Sequence, residues 1–343
     1  MHKETMDSIQ KITSYDDGYG LYRMDIKYDY SIDRILANSG DDDQSVINAI
    51  CKECIPFAKV NIQAPKFGCT AFTMAMADGR STMGRGYDFK FDTSAMLVRC
   101  DPKNGYSSVA FAALDNVQIK DPMSEKARVA CLVAPFLCLD GVNEKGVSIA
   151  VLTLDSEPTH QNAAGKQSIS TSVAIRLVLD RADSTEKAVE LLKKFNMHAI
   201  CGRDYHFYIT DSTGDGRVIE FDCDSETRET TVTPSEAVTN FYIMHKDKVL
   251  PNQKNGVYGH GRERYDTAMK IIEESRGKAT DEDAWKALKG VAQLPSPTDI
   301  TSNTQWSILF ENTDPAATIC IRRHWNDRYR YYLKTGEMTK IDP

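Results

Sequence analysis

The chain has 343 residues, enough for one large domain or two ordinary ones with a full hydrophobic core. Its 42 basic and 49 acidic side chains give a formal net charge of −7, and the absence of a basic run or basic-aromatic motif excludes a nucleic-acid-binding footprint. The longest apolar run, at 129–139, is too short to span a bilayer, and the chain begins without the apolar region of a signal peptide.

The first part of the chain, residues 1–68, is predicted to be a mixed leader segment. One helix is predicted to start within 28–36 and an amphipathic helix over 46–58, with a polar break at 40–43 between them. Because their apolar content is high enough to pack against a core, we expect that this segment stays attached if it is cleaved from the rest.

Cysteine usage points to a reduced protein. The nine cysteines are an odd number spread through a long chain, which is typical of a cytoplasmic protein, although a secreted protein that has lost its signal peptide stays open as an alternative. Cys51 and Cys54 form a single CxxC motif without a second pair or a histidine at ligand spacing. We therefore expect two thiols on one helical turn, with no metal and no cofactor.

Residues 67–89 predict a β-hairpin. The run over 71–76 alternates, Asp78-Gly79 follows it, and a second extended run comes next, a pattern typical of two strands joined by a two-residue turn. This hairpin contains a cysteine, an arginine and an aspartate, and its register decides which of them meet.

In the predicted register the paired residue numbers add to 157, so Cys69 lies opposite Asp88 and on the same face of the sheet. Arg85 then points to the other face. A bulge at Gly84 or Gly86 would turn Arg85 toward the cysteine, and we predict a bulge at one of these two glycines.

A cysteine at the start of a chain has its own base. Its α-amine has a pKa of about 7.7–8.0, next to a thiol of about 8.5, whereas an internal cysteine needs a separate base. We therefore expect cleavage of the Gly68–Cys69 bond, after which Asp88 would hold the amine and Arg85 would favour a thiolate or an oxyanion. The alternative for this stretch by itself is an ordinary hairpin with a buried thiol and a surface ion pair.

The rest of the chain predicts segregated strands and helices. Strands are predicted at 95–100, 107–114, 147–154, 205–211, 217–222, 240–245, 305–310, 318–323 and 329–333. Helices are predicted at 171–182, at 262–275 and at 281–292. A further helix is predicted to begin at a capping sequence at 183–186 and to reach residue 195, while 129–140 is left unassigned. This order favours an α+β domain of two sheets with helices outside, in which the polar loop 155–168 borders a pocket.

Other catalytic signatures are absent from the sequence. It contains no GxSxG elbow, no Walker A sequence and no HExxH motif. The histidines, including His206, His245, His260 and His324, have no metal-ligand spacing, and no local sequence supports a papain-like pair of cysteine and histidine.

Six motifs occur in a characteristic order. They are Cys69-Thr70, Arg85 followed by Asp88, Asn143-Glu144-Lys145-Gly146, Thr239-Asn240, Arg264-Tyr265 and Gln305-Trp306-Ser307. From about Cys69 to Leu333 the chain thereby resembles the choloylglycine hydrolase family of N-terminal-nucleophile hydrolases. That family includes bile salt hydrolases and penicillin V acylases, with acid-ceramidase-type amidases as relatives.

The resemblance implies a four-layer αββα fold, with residues 1–68 as leader or propeptide and 69–343 as the catalytic domain. Cys69 would be the nucleophile and its freed amine the base, oriented and polarised by Arg85 and Asp88. Without the resemblance, Cys69 would be an ordinary buried thiol.

Three further residues acquire roles through the resemblance. Asn240 would contribute to the oxyanion hole, and Arg264 would support the site electrostatically. Thr153 matches a polar position of the family on the strand after Asn143-Glu144-Lys145-Gly146 and would donate to the oxyanion through its backbone N–H. From the residues by themselves, Asn240 would be a turn residue and Arg264 part of an ion pair on a helix surface.

The activity implied is hydrolysis of a linear amide C–N bond in an N-acyl substrate such as a conjugated bile acid, penicillin V or an N-acyl amine, through an acyl-thioester and without a cofactor. The long leader resembles that of the acid-ceramidase-type and penicillin-acyltransferase-type relatives, which cut themselves before the cysteine. An acyltransferase and an uncut, non-catalytic scaffold for acylated ligands are the alternatives. The choice between sterol, phenoxyacetyl and fatty acyl groups stays open, as does a homo-oligomer.

Overall fold

The computed structural model describes residues 2–56, 60, 62, 67–299 and 302–341. Its helices are α1 (Lys3–Asp7), α2 (Ile32–Asn38), α3 (Asp43–Cys54), α4 (Glu125–Cys131), α5 (Thr171–Arg181), α6 (Thr185–Leu192), α7 (Arg262–Ser275) and α8 (Asp281–Val291). Short 3₁₀ turns lie at Leu114–Val117, Ala134–Phe136 and Ile243–Lys248.

The strands up to the middle of the chain are β1 (Gln10–Ser14), β2 (Gly20–Asp25), β3 (Phe67–Ala75), β4 (Ser81–Phe89), β5 (Ala95–Cys100), β6 (Ser108–Ala113), β7 (Cys138–Asn143), β8 (Ser148–Leu154), β9 (Gln167–Ser170) and β10 (Phe195–His198). They are followed by β11 (Asp204–Thr210), β12 (Arg217–Phe221), β13 (Thr230–Pro234), β14 (Ala237–Val238), β15 (Asn240–Phe241), β16 (Gly259–His260), β17 (Thr304–Glu311), β18 (Ala316–Ile321), β19 (Arg328–Tyr332) and β20 (Met338–Ile341).

Two large sheets lie face to face. A nine-stranded sheet has the order β1-β2-β5-β6-β7-β8-β11-β12-β13, and a seven-stranded sheet has the order β14-β3-β4-β17-β18-β19-β20. Helix α5 packs on β7 and β8 of the first sheet, while α7 and α8 pack on β3, β4 and β17 of the second. The result is the predicted four-layer αββα arrangement, because each sheet buries one face against the other sheet and one face against helices.

The β3–β4 hairpin has two distinct faces. Its inner face is turned toward the nine-stranded sheet, where the hydroxyls of Thr73 and Thr210 lie 3.2 Å apart. Its outer face is turned toward α7 and α8, where Phe72 and Met74 share an apolar cluster with Trp285. Neighbouring residues of β3 thus alternate between the two layers, as the period of a strand requires.

Residues before Cys69 contribute to this fold. Strand β2 lies between β1 and β5 and pairs parallel with β5. Its residues Leu21, Tyr22 and Met24 are fully buried. Strands β1 and β2 were absent from the sequence prediction because their short runs, QKITS and GLYRMD, mix charged with apolar residues.

The two predicted helices of this segment are present with shifted bounds. Helix α2 contacts α5 and β9. The polar break caps α3, since the Asp42 carboxylate accepts a hydrogen bond from the Ser45 N–H at 3.0 Å. Residues 57 and 58 of the predicted helix over 46–58 lie outside the described residues. Cys51 and Cys54 both lie on α3 as free thiols, as expected.

Most of the later elements are confirmed, including β5, β8, α5, α7 and α8. Helix α8 begins with a capping box formed by Thr280 and Asp283. Two predictions were wrong. Phe195 begins β10 instead of ending α6, and the predicted strand at 240–245 is the two-residue β15 followed by a 3₁₀ turn. The unassigned segment 129–140 contains the end of α4, a 3₁₀ turn and the start of β7.

The turn of the β3–β4 hairpin differs from the predicted one. The Met76 N–H donates to the Arg80 carbonyl at 2.8 Å, so the loop contains the three residues 77–79. Gly79 has a φ of 87°, the left-handed conformation that a three-residue hairpin loop needs at its last position.

With this three-residue loop, the register of the hairpin differs by one residue from the predicted register. Cys69 pairs with Tyr87, and Asp88 pairs with Gly68. The predicted pairing of Cys69 with Asp88 was therefore wrong. Because a slip of one residue moves each side chain to the opposite face, Arg85 lies on the inner face with Cys69, and Asp88 lies on the outer face.

The predicted bulge at Gly84 or Gly86 was also wrong, since β3 and β4 pair without a register shift along their whole length. Gly84 instead lets the Phe72 ring lie directly against the backbone of β4, because a Cβ at Gly84 would lie 2.1 Å from Cζ of that ring. The irregularity lies in the next strand, where the register of β17 against β4 shifts between Thr304 and Trp306. This shift lies beside Asp88.

Candidate active site

Cys69 is the centre of the candidate site and is fully buried in β3. Its backbone N–H donates to Asn240 Oδ1 at 2.8 Å, and its Sγ lies 3.7 Å from the Val151 carbonyl oxygen. Burial raises the pKa of the thiol to about 12, although the Arg85 guanidinium acts in the opposite direction. In the intact chain the thiol is therefore protonated at neutral pH.

Arg85 reaches the inner face through the hairpin register. Its Nε donates to Asp140 Oδ2 at 3.1 Å, and its Nη2 donates to the Val151 carbonyl at 3.0 Å, the same oxygen that Cys69 Sγ approaches. Arg85 and Asp140 are both fully buried. The guanidinium thus lies beside the thiol, where the hairpin register places it, and no bulge is needed.

Asp140 was missed by the sequence prediction. Burial raises its pKa to about 6, and the neighbouring Arg85 charge opposes this shift. The available signal was a carboxylate within strand β7, whose other residues before Asn143 are apolar or glycine, since an acidic residue is rarely buried without a partner.

Asn240 and Arg264 bind the backbone of Cys69 from one side. Asn240 Oδ1 accepts both the Cys69 N–H and Arg264 Nη2, the latter at 2.8 Å. Arg264 Nη1 donates to the Cys69 carbonyl oxygen at 2.5 Å and to Thr70 Oγ1 at 3.0 Å. Arg264 is buried, so the reading of a helix-surface ion pair is wrong.

Thr153 contacts this group through its backbone. Asn240 Nδ2 donates to the Thr153 carbonyl oxygen at 2.9 Å and lies 3.4 Å from its hydroxyl. The orientation of the Asn240 amide is therefore fixed at both ends. Donation from the Thr153 backbone N–H to an oxyanion stays a prediction.

Asp88 lies on the outer face, where neutral donors hold it. Its carboxylate accepts Gln293 Nε2 at 2.7 Å and Thr304 Oγ1 at 2.6 Å, and it lies 3.7 Å from Arg264 Nη1. Gln293 and Thr304 were missed by the sequence prediction. Neither belongs to a motif, and the bulge of β17 that brings Thr304 here has no signal in the sequence.

A cavity of about 720 Å³ adjoins these residues. Gln293 belongs to its wall, as does His260, which pairs with Asn240 between β15 and β16. Of the predicted pocket loop 155–168, Asp155 lines this cavity and lies 2.8 Å from His260 Nδ1, whereas Gln161 lines a different cavity. Other wall residues are polar or charged, with Leu294 as an apolar exception; they include Lys254, Asn255, Ser296 and Asp299.

Among the residues that the structure describes, one group has the chemistry of metal ligands, formed by Asp222, Cys223 and His245. The sequence spacing gave no sign of it. His245 Nε2 lies 3.1 Å from Asp222 Oδ1, and the Lys248 ammonium lies 2.9 Å from the neighbouring Asp224 carboxylate. Within this group His245 and Asp222 are thus hydrogen-bond partners, and the adjacent Asp224 pairs with Lys248.

Known proteins resemble this chain in sequence and fold. Residues 69–227 match the family described as linear amide C–N hydrolases, choloylglycine hydrolase family, which confirms the resemblance seen in the motifs. No curated protein sequence matches the chain.

Solved structures show the same fold. A mutant of the conjugated bile acid hydrolase from Clostridium perfringens superposes with a TM-score of 0.59 at 16% identity and covers 80% of this chain and 97% of its own. Penicillin V acylase from Agrobacterium tumefaciens gives a TM-score of 0.57 at 16% identity, covering 80% of this chain and 91% of its own. None of the helices in the described residues combines the length and apolarity needed to cross a membrane.

Proposed function

We propose that the protein is an amidohydrolase whose nucleophile is an N-terminal Cys69, because residues 69–227 match the choloylglycine hydrolase family of linear amide C–N hydrolases. The chain is made as a precursor, cuts its own Gly68–Cys69 bond and then hydrolyses a linear amide of an N-acyl substrate. One observation carries this proposal: Asn240 and Arg264 bind the backbone N–H and carbonyl of Cys69, which is where a freed α-amine would have to be held.

Among the described residues, the Cys69 thiol has the Arg85 cation and the Val151 carbonyl as its neighbours, and neither acts as a base. Its pKa of about 12 leaves Cys69 protonated, and its nitrogen is an amide that cannot accept a proton. Cleavage would convert this amide nitrogen into an amine of about pKa 8 next to the thiol. The amine would keep Asn240 Oδ1 as its acceptor.

Self-cleavage would use the same thiol. Cys69 Sγ attacks the Gly68 carbonyl carbon and forms a tetrahedral intermediate, in which the nitrogen is no longer an amide and takes the thiol proton. The C–N bond then breaks, which leaves a thioester between Gly68 and Cys69 Sγ and a free α-amine. Water then hydrolyses the thioester, which releases the Gly68 carboxylate and restores the thiol. The Arg85 guanidinium supports this step because it favours the thiolate over the thiol.

Substrate turnover repeats this chemistry with the amine as base. The thiolate attacks the amide carbonyl, the leaving amine takes the proton held by the α-ammonium, and water releases the acid from the acyl-thioester. Asn240 Nδ2, which now donates to Thr153, is the side-chain donor available for an oxyanion. Asp88 lies beside Arg264 and orients the same end of the site.

The leader is proposed to stay bound after cleavage. Strand β2 lies inside the nine-stranded sheet and its buried side chains belong to the main core. Removing residues 1–68 would expose this apolar surface to water, so the two pieces should separate only on unfolding.

The cavity of about 720 Å³ is proposed to take the polar part of the substrate. Its charged wall, with Asp155, Lys254 and His260, suits the amine portion of an N-acyl amide better than an acyl chain. Conjugated bile acids, penicillin V and N-acyl amines all carry such a portion and are the substrates to screen.

Mass spectrometry of the purified protein tests the proposal. We expect two polypeptides, the second beginning at Cys69, and hydrolysis of at least one of these substrate classes. Cys69→Ala should remain a single chain without turnover, whereas Cys320→Ala, a buried cysteine of the same sheet, should be processed and active. Active enzyme that contains only full-length chain, or turnover by Cys69→Ala, would contradict the proposal.

A further inference from the structure

A histidine outside the motifs lies against the segment that carries Asn240. His206 of β11 is fully buried, and so is Glu220 of β12. His206 Nδ1 lies 3.2 Å from Glu220 Oε1, and His206 Nε2 lies 2.9 Å from the Thr239 carbonyl oxygen. The imidazole therefore connects a buried carboxylate to the peptide bond that joins Thr239 to Asn240.

Glu220 binds the chain on the other side of Asn240. Its Oε1 accepts the Ile243 N–H at 2.7 Å, and its Oε2 accepts the Met244 N–H at 3.0 Å. The pair of His206 and Glu220 thus holds the backbone both before and after Asn240.

The hydrogen-bond directions support this geometry. The Thr239 carbonyl can only accept a hydrogen bond, so His206 Nε2 carries a hydrogen and donates to it. Glu220 accepts the two backbone N–H groups, and its Oε1 lies at hydrogen-bond distance from His206 Nδ1.

The segment needs such support because it has little regular structure of its own. Strand β15 contains two residues and pairs with β16, which also contains two. The chain then turns directly into the 3₁₀ turn at Ile243–Lys248. In so short a strand pair, side-chain contacts such as those of His206 and Glu220 fix the position of the backbone.

We propose that His206 and Glu220 are positioning residues that hold the Asn240 amide in place between Cys69 and Thr153. The inference rests on the proposed role of Asn240 in the reaction. The pair acts through Asn240 and does not touch the thiol, so its loss should slow acyl transfer while leaving substrate binding largely intact.

The test uses His206→Gln and Glu220→Gln in the full chain. Processed sites are counted by alkylation with iodoacetamide followed by mass spectrometry of the peptide that begins at Cys69, since other free cysteines also react, and kcat is expressed per such site in protein purified as a folded monodisperse species. We expect kcat to fall about 10- to 100-fold with KM nearly unchanged, because a small displacement of a site residue is enough for such a loss. His245→Gln is the matched control, since His245 also pairs with a carboxylate, Asp222, but does not contact the backbone at Asn240.

A double-mutant cycle decides whether the effect passes through Asn240. If it does, His206→Gln in an Asn240→Ala background should be no slower than Asn240→Ala by itself, whereas fully additive losses would overturn the inference. Full kcat in both His206→Gln and Glu220→Gln would also overturn it while leaving the proposed function intact. Full kcat in Asn240→Ala would refute the proposed role of Asn240 and the inference with it. If His206→Gln does not fold, Glu220→Gln, which keeps the side-chain shape, decides the question.

Discussion

The inner and outer faces of the β3–β4 hairpin stabilise their charges by different means. On the inner face the Arg85 charge is balanced by the Asp140 carboxylate, and both are fully buried. On the outer face Asp88 accepts hydrogen bonds from the neutral Gln293 and Thr304, with Arg264 at a longer 3.7 Å. Removing one partner of a buried ion pair leaves the other charge uncompensated and lowers the unfolding free energy strongly. Removing one of several neutral donors leaves the remaining hydrogen bonds in place and lowers it less.

Cys69 lies between these two environments. Its thiol is turned toward the inner face and the Arg85 cation, while its backbone nitrogen contacts Asn240, which Arg264 also binds. A single residue can therefore present a thiol next to a cation that favours its thiolate form and a nitrogen held by the Asn240 acceptor. The following four variants test this difference between the faces.

The largest effect is expected from Arg85→Met on the inner face. In a Cys69→Ala background, where the chain should stay uncut, the variant leaves Asp140 buried without its partner and should lose about 3–5 kcal/mol of unfolding free energy in urea. The double variant Arg85→Met with Asp140→Leu should recover much of this loss, because no charge is then left without a partner. A loss below about 1 kcal/mol in the single variant would show that the pair is not the source of the stability.

The second test uses the pKa of Asp140. Its folded value of about 6 lies above the unfolded value of about 3.9, so the folded state keeps the proton to higher pH. As pH rises from about 4 to about 6, the wild-type carboxyl should therefore reduce the unfolding free energy relative to Asp140→Asn, by roughly 3 kcal/mol in total. Below about pH 4 and above about pH 6 the difference between the two proteins should be constant.

Urea titrations of both proteins at several pH values, in the Cys69→Ala background, measure this difference. Titrating groups shared by the two proteins cancel in the comparison. A difference that is flat across this interval, or one that changes in the opposite direction, would disprove the assigned ionisation of Asp140.

On the outer face, Thr304→Val removes a hydroxyl donor from Asp88 while keeping the side-chain shape. We expect a loss of about 2 kcal/mol in unfolding free energy, typical of a hydrogen bond to a charged acceptor, together with slower turnover per labelled Cys69. Ser307→Ala is the control, because this buried hydroxyl of the same strand has no hydrogen-bond partner among the described residues. If both variants lost the same unfolding free energy, the effect would come from the packing of β17 and not from the hydrogen bond to Asp88.

Three of the motif residues, Arg85, Asn240 and Arg264, lie around Cys69. The sequence could indicate these residues but not their directions. The Asp78-Gly79 dipeptide is typical of two-residue turns, yet a three-residue loop also places glycine at its last position. Local sequence fits both loops, and they differ by one residue in register.

The remaining residues could not be predicted for another reason. Asp140 meets the hairpin where the two sheets pack face to face, and Thr304 meets it through the pairing of β17 with β4. Gln293 arrives from beyond the end of α8. Strand β2 likewise depends on its parallel neighbour β5. Such contacts are properties of the assembled sheets, and no local pattern encodes them.

The smallest effect is expected from Gly79→Ala, in the turn that joins β3 to β4. The added Cβ meets no atom within 4 Å, so the left-handed φ of 87° is the only source of strain and should cost about 1 kcal/mol. Gly165→Ala is the matched control, since Gly165 has a φ of 81° and equally open space but lies outside the hairpin.

Both glycine variants should lose similar stability and keep full turnover per labelled Cys69, because the unbroken pairing of β3 with β4 and the burial of both faces fix the register. A large loss of turnover in Gly79→Ala, with normal turnover in Gly165→Ala, would instead show that the turn sets the register. A slip of one residue would bring Asp88 to the inner face and move Arg85 toward the helices, exchanging the charges around Cys69. The thiol would then face a carboxylate, which raises its pKa further and removes the nucleophile.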